Sequence, residues 1–213
     1  MTLRLCAAVV GAVALVGAAS ALACSGRGRS APTAGFWYES SAFALPGNAK
    51  TRFDGPLEHE EMESIKQLSR AEVEQAFAGL RITVTASHDA FWRVEVLRSL
   101  PVIRNKQLPR AGESMALGAL GGAGSVDFDI VAFNAIHYAP VGASRQRIIE
   151  GIGRGIGRVA VHEFMHQMLG VAAQHNDADK NSYECGSPER AAQYYGDLRW
   201  TTAWPLLHQK FGT

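Results

Sequence analysis

The sequence has 213 residues, a formal net charge of +1 at pH 7 and 47% hydrophobic residues. This length predicts one domain with enough apolar residues to form a core. The near balance of charge excludes the strongly basic surface that is typical of nucleic-acid-binding proteins. It also gives no electrostatic reason for binding an anionic membrane.

The first 23 residues have the features of a bacterial secretory signal peptide. Arg4 is followed by an uncharged apolar run over residues 5–19, which is shorter than a membrane-spanning helix requires. Small residues at Ala21 and Ala23 suit cleavage after Ala23. We therefore expect an exported, periplasmic or cell-envelope protein whose mature chain has 20 basic and 20 acidic residues.

Cleavage leaves two cysteines, Cys24 and Cys185, and two hypotheses stay open for them. In the first, Cys24 is the lipidated first residue of a lipoprotein that is attached to a membrane. The preceding residues match the lipoprotein signal only in part. In the second, export to an oxidising compartment permits a Cys24–Cys185 disulfide.

The mature chain begins with small, polar residues and then alternates between helical and strand patterns. Residues 24–35 predict a flexible leader, and residues 36–213 predict the folded domain. The stretch "PLEHEEMESIKQL" has helical spacing, and Ser69 to Glu72 forms a capping box that predicts a second helix through Phe77. The stretches "LRITVTA", "FWRVEVLRSL" and "VDFDIVAFNAIHY" predict strands, and the glycine-rich residues 101–125 predict a loop.

A long helix is predicted after Ser144, a suitable N-cap. Isoleucines recur at helical spacing, although several glycines interrupt the pattern. We expect Gly151 and Gly155 to lie on one side, where the helix packs closely against a neighbour. Gly170 predicts its end. A further helix is expected from Ser187, followed by a short terminal element, "TTAWPLLHQKF". The fold class is therefore α+β, with a small mixed sheet packed on helices.

The long helix carries residues that suit a metal centre. His162 and His166 are four positions apart, so both imidazoles lie on one helical face, where they can bind one Zn²⁺ ion. Glu163 points about 100° away around the helix and is suited to take a proton from a water molecule. The surrounding residues are apolar, and unpaired polar groups among them would be costly.

The stretch "HEFMH" resembles the zincin metallopeptidases, and "HEFMHQMLG" resembles their metzincin branch. The resemblance covers about 20 residues and implies a zincin-like catalytic domain that hydrolyses peptide bonds. The spacing departs from the metzincin pattern, because Gly170 comes one residue late and His175 is the nearest later histidine. No methionine follows Met168, so the methionine turn of that branch is missing. The stretch "VDFDIVAF" weakly resembles its edge strand.

The third metal ligand stays open among several residues. We favour His175, which a turn after Gly170 can fold back toward the metal. Glu184 and Glu189 are the alternatives, since the gluzincin branch uses a downstream glutamate. Asp177 and Asp179 are further candidates.

Two neighbouring patterns have weaker functional interpretations. Asp177, Asp179 and Asn181 alternate as at the start of a calcium loop, but the expected glycine and closing glutamate are absent, so a polar turn is favoured. Three tyrosines could donate a hydrogen bond to a reaction intermediate, although packing roles are favoured for them. They are Tyr183, Tyr194 and Tyr195.

The residues together predict an exported zinc metallopeptidase with His162, His166 and His175 as ligands and Glu163 as the general base. Its expected partner is a peptide or protein substrate, and no nucleic acid is expected. The first alternative is a non-enzymatic envelope protein or lipoprotein with an inactive zincin fold that binds zinc or a partner. The second is a structural lipoprotein without a metal.

The signal-peptide hypothesis predicts that native protein recovered from its source begins at Cys24. Intact-mass spectrometry measures this directly, and a diacylglycerol adduct on Cys24 would establish lipidation. A native chain that retains Met1 would contradict the hypothesis.

Overall fold

The long helix α3, Arg145–Leu169, is the element on which most of the others pack. The computed structural model describes residues 31–43, 55–101 and 110–213, which belong to one compact unit. The side chain of Ser144 accepts a hydrogen bond from the backbone N–H of Arg147 at 3.2 Å, and α3 ends at Gly170, where φ is 57°. Both predicted ends of this helix are confirmed.

Five strands form one mixed sheet beneath α3. They are β1 (Thr33–Tyr38), β2 (Thr83–Thr85), β3 (Trp92–Leu97), β4 (Gly112–Ala116) and β5 (Gly122–Asp127). Their order is β2-β1-β3-β5-β4, and every neighbouring pair is parallel except the antiparallel pair β4–β5. β4 therefore forms one edge of the sheet. The predicted α+β class with a small mixed sheet is confirmed, as are the strands predicted around β2 and β3.

In the described part of the chain, four further α-helices surround α3 and the sheet. They are α1 (His59–Ala76), α2 (Phe128–His137), α4 (Ala192–Tyr195) and α5 (Ala203–Phe211). α1 makes the most extensive contact with α3, while α2 and α4 also pack on it. Within the described ranges, no helix is both long enough and apolar enough to span a membrane.

Glycines allow the helices around α3 to approach it closely. A Cβ atom added to Gly157 would lie 2.7 Å from the Cβ atom of Glu72 on α1. One added to Gly155 would lie 2.6 Å from the Tyr194 ring on α4. One added to Gly151 would lie 2.6 Å from the Tyr195 ring. A side chain at any of these positions would force its neighbour to move, so the close packing predicted at Gly151 and Gly155 is confirmed.

Gln167 attaches α3 to the sheet and explains the glycines of β5. Its amide donates to the carbonyl of Arg93 at 2.9 Å and accepts from the N–H of the same residue at 3.1 Å. A Cβ atom on Gly122 would lie 2.6 Å from Gln167, so this strand passes too close to α3 for larger residues. The prediction of a loop over residues 101–125 is therefore wrong for β4 and β5, whose glycines reflect tight packing. Residues 102–109 of that stretch lie outside the described ranges.

The strand predicted over "VDFDIVAFNAIHY" is also wrong beyond Asp127. The Asp127 carboxylate accepts a hydrogen bond from the N–H of Ile130 at 2.9 Å and caps α2. Phe128, Val131 and Ala135 are all buried at helical spacing. The alternating apolar residues suggested a strand, but an N-cap at Asp127 ends β5 and begins a helix. The edge strand beside α3 is β4, not this stretch.

The capping box at Ser69 does not begin a second helix, because α1 continues through it. Ser69 is fully buried, and its hydroxyl donates to the Lys66 carbonyl of its own helix at 2.9 Å. A serine bonded in this way is compatible with a helix interior. The capping box of α1 lies instead at Glu58 and Glu61.

Two further boundaries differ from the prediction. β1 begins at Thr33, so the domain starts before residue 36. The small residues there reflect close packing, because a Cβ atom on Gly35 would lie 2.8 Å from the Cβ atom of Ala90. The helix expected from Ser187 begins only at Ala192, because a local turn occupies the preceding residues. The terminal element is confirmed as α5, whereas residues 1–30 lie outside the described ranges.

Replacing Gly157 by Ala is expected to lower the free energy of unfolding. Alanine gains about 1 kcal/mol in helix propensity, but overpacking against α1 costs about 1–3 kcal/mol. Urea unfolding at 25 °C measures the balance. Gln146→Ala, at an exposed position of α3, serves as the control and should change the value by less than about 0.5 kcal/mol. A more stable Gly157→Ala variant would contradict the packing account.

Candidate metal centre

Three histidine rings converge at the carboxyl-terminal end of α3. The Nε2 atoms of His162 and His166 are 3.1 Å apart, and those of His162 and His175 are 3.2 Å apart. The Nε2 atoms of His166 and His175 are separated by 3.0 Å. A 3-10 turn over Gly170–Ala172 reverses the chain after the helix and returns His175, as the sequence predicted.

The chemistry of the three nitrogens fits a bound cation. The Nδ1 atom of His162 lies 2.8 Å from the carbonyl oxygen of Tyr183. Because a carbonyl only accepts, Nδ1 carries the proton and the Nε2 lone pair faces the other rings. Tetrahedral coordination at ~2.0–2.1 Å places ligand nitrogens roughly 3.3 Å apart, close to the observed spacing. The cluster of His162, His166 and His175 could therefore hold a metal ion.

Burial keeps two of these histidines neutral. Burial, helped by the neighbouring histidines and Arg190 and opposed by the hydrogen bond to Tyr183, lowers the pKa of His162 to about 3. Burial also lowers the pKa of His166. Only a neutral imidazole offers a lone pair to a metal, so these shifts favour ligation over protonation.

Glu163 lies beside the cluster and against the edge strand β4. It is 6% exposed, and the Ser114 hydroxyl donates a hydrogen bond to its carboxylate. A Cβ atom on Gly112 would lie 2.5 Å from its Oε1 atom, so the glycine leaves the space that the carboxylate occupies. Burial raises the pKa of Glu163 to about 7, against the bond from Ser114.

The histidines and Glu163 open into a cavity of about 640 Å³. Its lining comes from β4, from α3 and from the segment between Tyr183 and Pro188. Along the chain, its lining residues run from Arg158 on α3 to Val171 in the following 3-10 turn and include His162 and His166 between them. A ligand can therefore extend to either side of the histidines.

One segment holds two of the three histidines. We call residues 182–190 the clamp loop. Its Tyr183 carbonyl contacts His162, and a Cβ atom on Gly186 would lie 2.7 Å from Nδ1 of His175. The Gly186 N–H also donates to the Asp177 carboxylate at 2.8 Å. The clamp loop thus positions His162 through a hydrogen bond and His175 through direct packing.

Arg190 fixes the clamp loop from inside. Its guanidinium is 7% exposed and donates to the Ser187 carbonyl at 3.0 Å and to the Ser182 carbonyl at 3.0 Å. It also bonds to the carbonyls of Lys180 and Cys185. These bonds satisfy carbonyls that a regular helix or strand would otherwise pair.

The alternative third ligands have other roles in the structure. Glu184 is fully buried, and its Oε1 atom accepts from the N–H groups of Thr201 and Ala203 at 2.7 and 2.9 Å. Glu189 is exposed. Asp177 bonds to the clamp loop, and Asp179 does not join the cluster. Among the described residues, the group able to hold a metal consists of the three histidines.

The structure also shows the surroundings of the calcium-like pattern and of two of the three tyrosines. Asp179 accepts from the N–H of Asn181 at 2.9 Å and pairs with Arg199 at 2.8 Å, as in the polar turn that was favoured over calcium binding. Tyr194 and Tyr195 donate to backbone carbonyls at 2.9 and 2.6 Å, as packing residues do.

Tyr183 lines the cavity, although packing was favoured for it. Cys185 is buried, but Cys24 lies outside the described residues. Lipidation and the disulfide therefore both stay predictions.

Sequence reasoning missed the residues that support the cluster. Gly112, Ser114, Gly186 and Arg190 belong to no recognised pattern in the sequence. No protein-family model and no curated protein sequence matches this chain. The case for a metal centre therefore depends on the positions of these side chains.

Gly186→Ala is expected to weaken metal binding about 10- to 100-fold, the usual effect of disturbing groups behind a metal ligand. The backbone there has no positive φ, so the new methyl group acts by displacing the His175 ring. Competition with a chromophoric chelator measures the affinity for Zn²⁺. Gly196→Ala is the matched control, since its Cβ atom would meet Ala192 and no histidine. Equal affinities for Zn²⁺ in the two variants would show that the clamp loop does not position His175.

Glu163 should make the metal-free protein less stable as the pH rises. Its pKa is raised from 4.5 to about 7 on folding, so the folded state binds the proton more tightly. Relative to Glu163→Gln, the free energy of unfolding of the wild type should then fall by about 1.4 kcal/mol per pH unit between pH 4.5 and 7. Urea unfolding of both proteins in the presence of a chelator measures the difference in their free energies of unfolding. His162 contributes an opposite pH dependence to both proteins, so its effect cancels in the difference. A stability difference that does not change with pH would show that folding does not raise the pKa of Glu163.

Proposed function

We propose that this protein is an exported zinc-dependent peptidase of the zincin type. His162, His166 and His175 are its metal ligands, and Glu163 is its general base. The observation that carries the proposal is the convergence of three Nε2 atoms within 3.2 Å, in an open cavity beside a buried carboxyl group. The apolar run over residues 5–19 supports export.

The ligand set favours zinc in a catalytic role. Neutral imidazoles suit Zn²⁺, and catalytic zinc sites have three protein ligands with an open fourth position, whereas structural sites have four protein ligands. His175 is exposed, so the cluster is open to solvent on the cavity side. Bound zinc would polarise a carbonyl group and lower the pKa of water.

Glu163 supplies the proton transfers of the proposed reaction. Its pKa of about 7 lies near neutral pH, where a carboxyl group can both accept and release a proton. Its carboxylate takes a proton from the attacking water and delivers it to the leaving amine. The Ser114 hydroxyl holds this carboxylate beside the cavity, and Gly112 leaves the space that it occupies.

The edge strand β4 supports a peptide as the substrate. Its inner side pairs with β5, while β4 ends the sheet and borders the cavity. An edge strand presents backbone N–H and carbonyl groups to which an extended peptide can add. A peptide bound in this way lies across the histidines and Glu163. Attachment of the enzyme to a membrane through a lipidated Cys24 is compatible with this role.

Glu163→Gln is expected to lower peptide hydrolysis at least about 100-fold, because it removes the general base. Zinc content should be unchanged, since the ligands are retained. Cleavage of a protein-derived peptide mixture, followed by mass spectrometry, measures activity, and Glu60→Gln at an exposed position of α1 serves as the matched control. A zinc-loaded wild type without any cleavage would favour the alternative of a non-enzymatic zinc-binding envelope protein.

A further inference from the structure

The cavity extends beyond the histidines to a second group of polar side chains. Arg158 lies four residues before His162 on α3 and therefore one turn away on the same face. Tyr183 and Gln193 line the same region, which we call the Arg158 end. The exposed fractions of Arg158, Tyr183 and Gln193 are 4%, 7% and 4%. These side chains are buried by the protein yet border the cavity.

Two hydrogen-bond donors at the Arg158 end have no acceptor among the described residues. The Gln193 Oε1 atom accepts from Arg190 at 2.6 Å, which leaves the amide nitrogen of Gln193 without a partner. The hydroxyl of Tyr183 also has none, because the hydrogen bond of this residue to His162 involves its carbonyl. Neither atom is enclosed completely, and both residues line the cavity. Water can satisfy these donors while the cavity is empty, so a ligand that displaces the water must supply acceptors in its place.

The charge at the Arg158 end is positive. The Glu72 carboxylate neutralises Arg158 through bonds of 3.0 and 3.2 Å. Arg190 lies behind Gln193 and bonds to carbonyl and amide oxygens, with no carboxylate partner among the described residues. The Asp179 carboxylate acts on Arg190 from beyond contact distance and pairs with Arg199. The buried charge of Arg190 is therefore only partly compensated, and it attracts an anion because little water screens it.

We propose that the Arg158 end binds a carboxylate of the substrate, next to the bond that is cleaved. A carboxylate accepts from both free donors and offsets the charge of Arg190, whereas an apolar or basic group does neither. Its distance of one helical turn from His162 limits the carboxylate to a residue beside the scissile bond. The inference rests on the proposed peptidase function and names its substrate preference.

A pair of hydroxamates tests the inference by binding alone. Both have the same short peptide skeleton, and the arm beside the hydroxamate ends in a carboxylate in one and in its methyl ester in the other. Isothermal titration of zinc-loaded wild type should give at least about tenfold tighter binding for the carboxylate, the usual effect of one charged hydrogen bond. Equal affinities would overturn the inference while leaving the metal site intact. If neither compound binds, the proposed function itself fails.

Two variants test whether the preference for the carboxylate depends on the donors of Tyr183 and Gln193. Tyr183→Phe removes only the free hydroxyl, and Gln193→Glu replaces the free amide with an acceptor while keeping an oxygen for Arg190. Each should reduce the preference for the carboxylate about tenfold, measured as the ratio of the two affinities. Tyr195→Phe is the matched control, because that hydroxyl donates to the Ala135 carbonyl on α2 and neither residue lines the cavity. Its ratio should equal the wild-type value. Unchanged ratios in Tyr183→Phe and Gln193→Glu would exclude this end as the binding site.

Two kinds of peptide separate the sources of the carboxylate. The first has Glu beside the cleavable bond and an amidated C-terminus, and the second has only its free C-terminal carboxylate. Faster cleavage of the first than of its Gln counterpart would establish an acidic side chain as the ligand. Cleavage of the second, lost on amidation, would establish the chain terminus. Equal cleavage of all four peptides would overturn the inference.

Discussion

The burial of α3 is the constraint on which the rest of the structure depends. This helix packs on α1, α2, α4 and the sheet, and glycines on several of its faces allow backbones and rings to come within contact distance. Gln167 bonds to both backbone groups of Arg93 and prevents the helix from sliding along the sheet. A helix held on so many sides can present His162, Glu163 and His166 in fixed directions, as preorganised catalysis requires.

The third histidine reaches the cluster by a different physical route. His175 lies in an exposed segment without regular structure, so no helix orients its ring. Packing against Gly186 orients it instead, and the same loop bonds to His162 through Tyr183. Arg190 holds that loop by its carbonyls, while Glu184 connects it to the start of α5. The cluster therefore combines a rigid helix with a segment that is braced by buried polar groups, and both are needed to bring three nitrogens within 3.2 Å.

The predictions from sequence succeeded where a local pattern was sufficient and failed where the determining contact was distant. The four-residue spacing of His162 and His166 places two rings on any helix, and Gly170 marks its end from local conformation alone. The glycines of β5 suggested a loop, and this prediction failed because they are explained by packing against a distant side chain. That side chain is Gln167, more than 40 residues away in the sequence. Likewise, Gly186 and Arg190 acquire their roles only when the chain has folded, and no spacing in the sequence reveals them.

Metal analysis of the native mature protein, purified without chelators, tests the central claim most directly. The account predicts about one zinc per chain, with an X-ray absorption spectrum that shows imidazole nitrogens at ~2.0–2.1 Å. It also predicts that replacing both His162 and His166 by Ala abolishes zinc binding. A native protein that binds no zinc, or a double variant that retains full zinc occupancy, would contradict it.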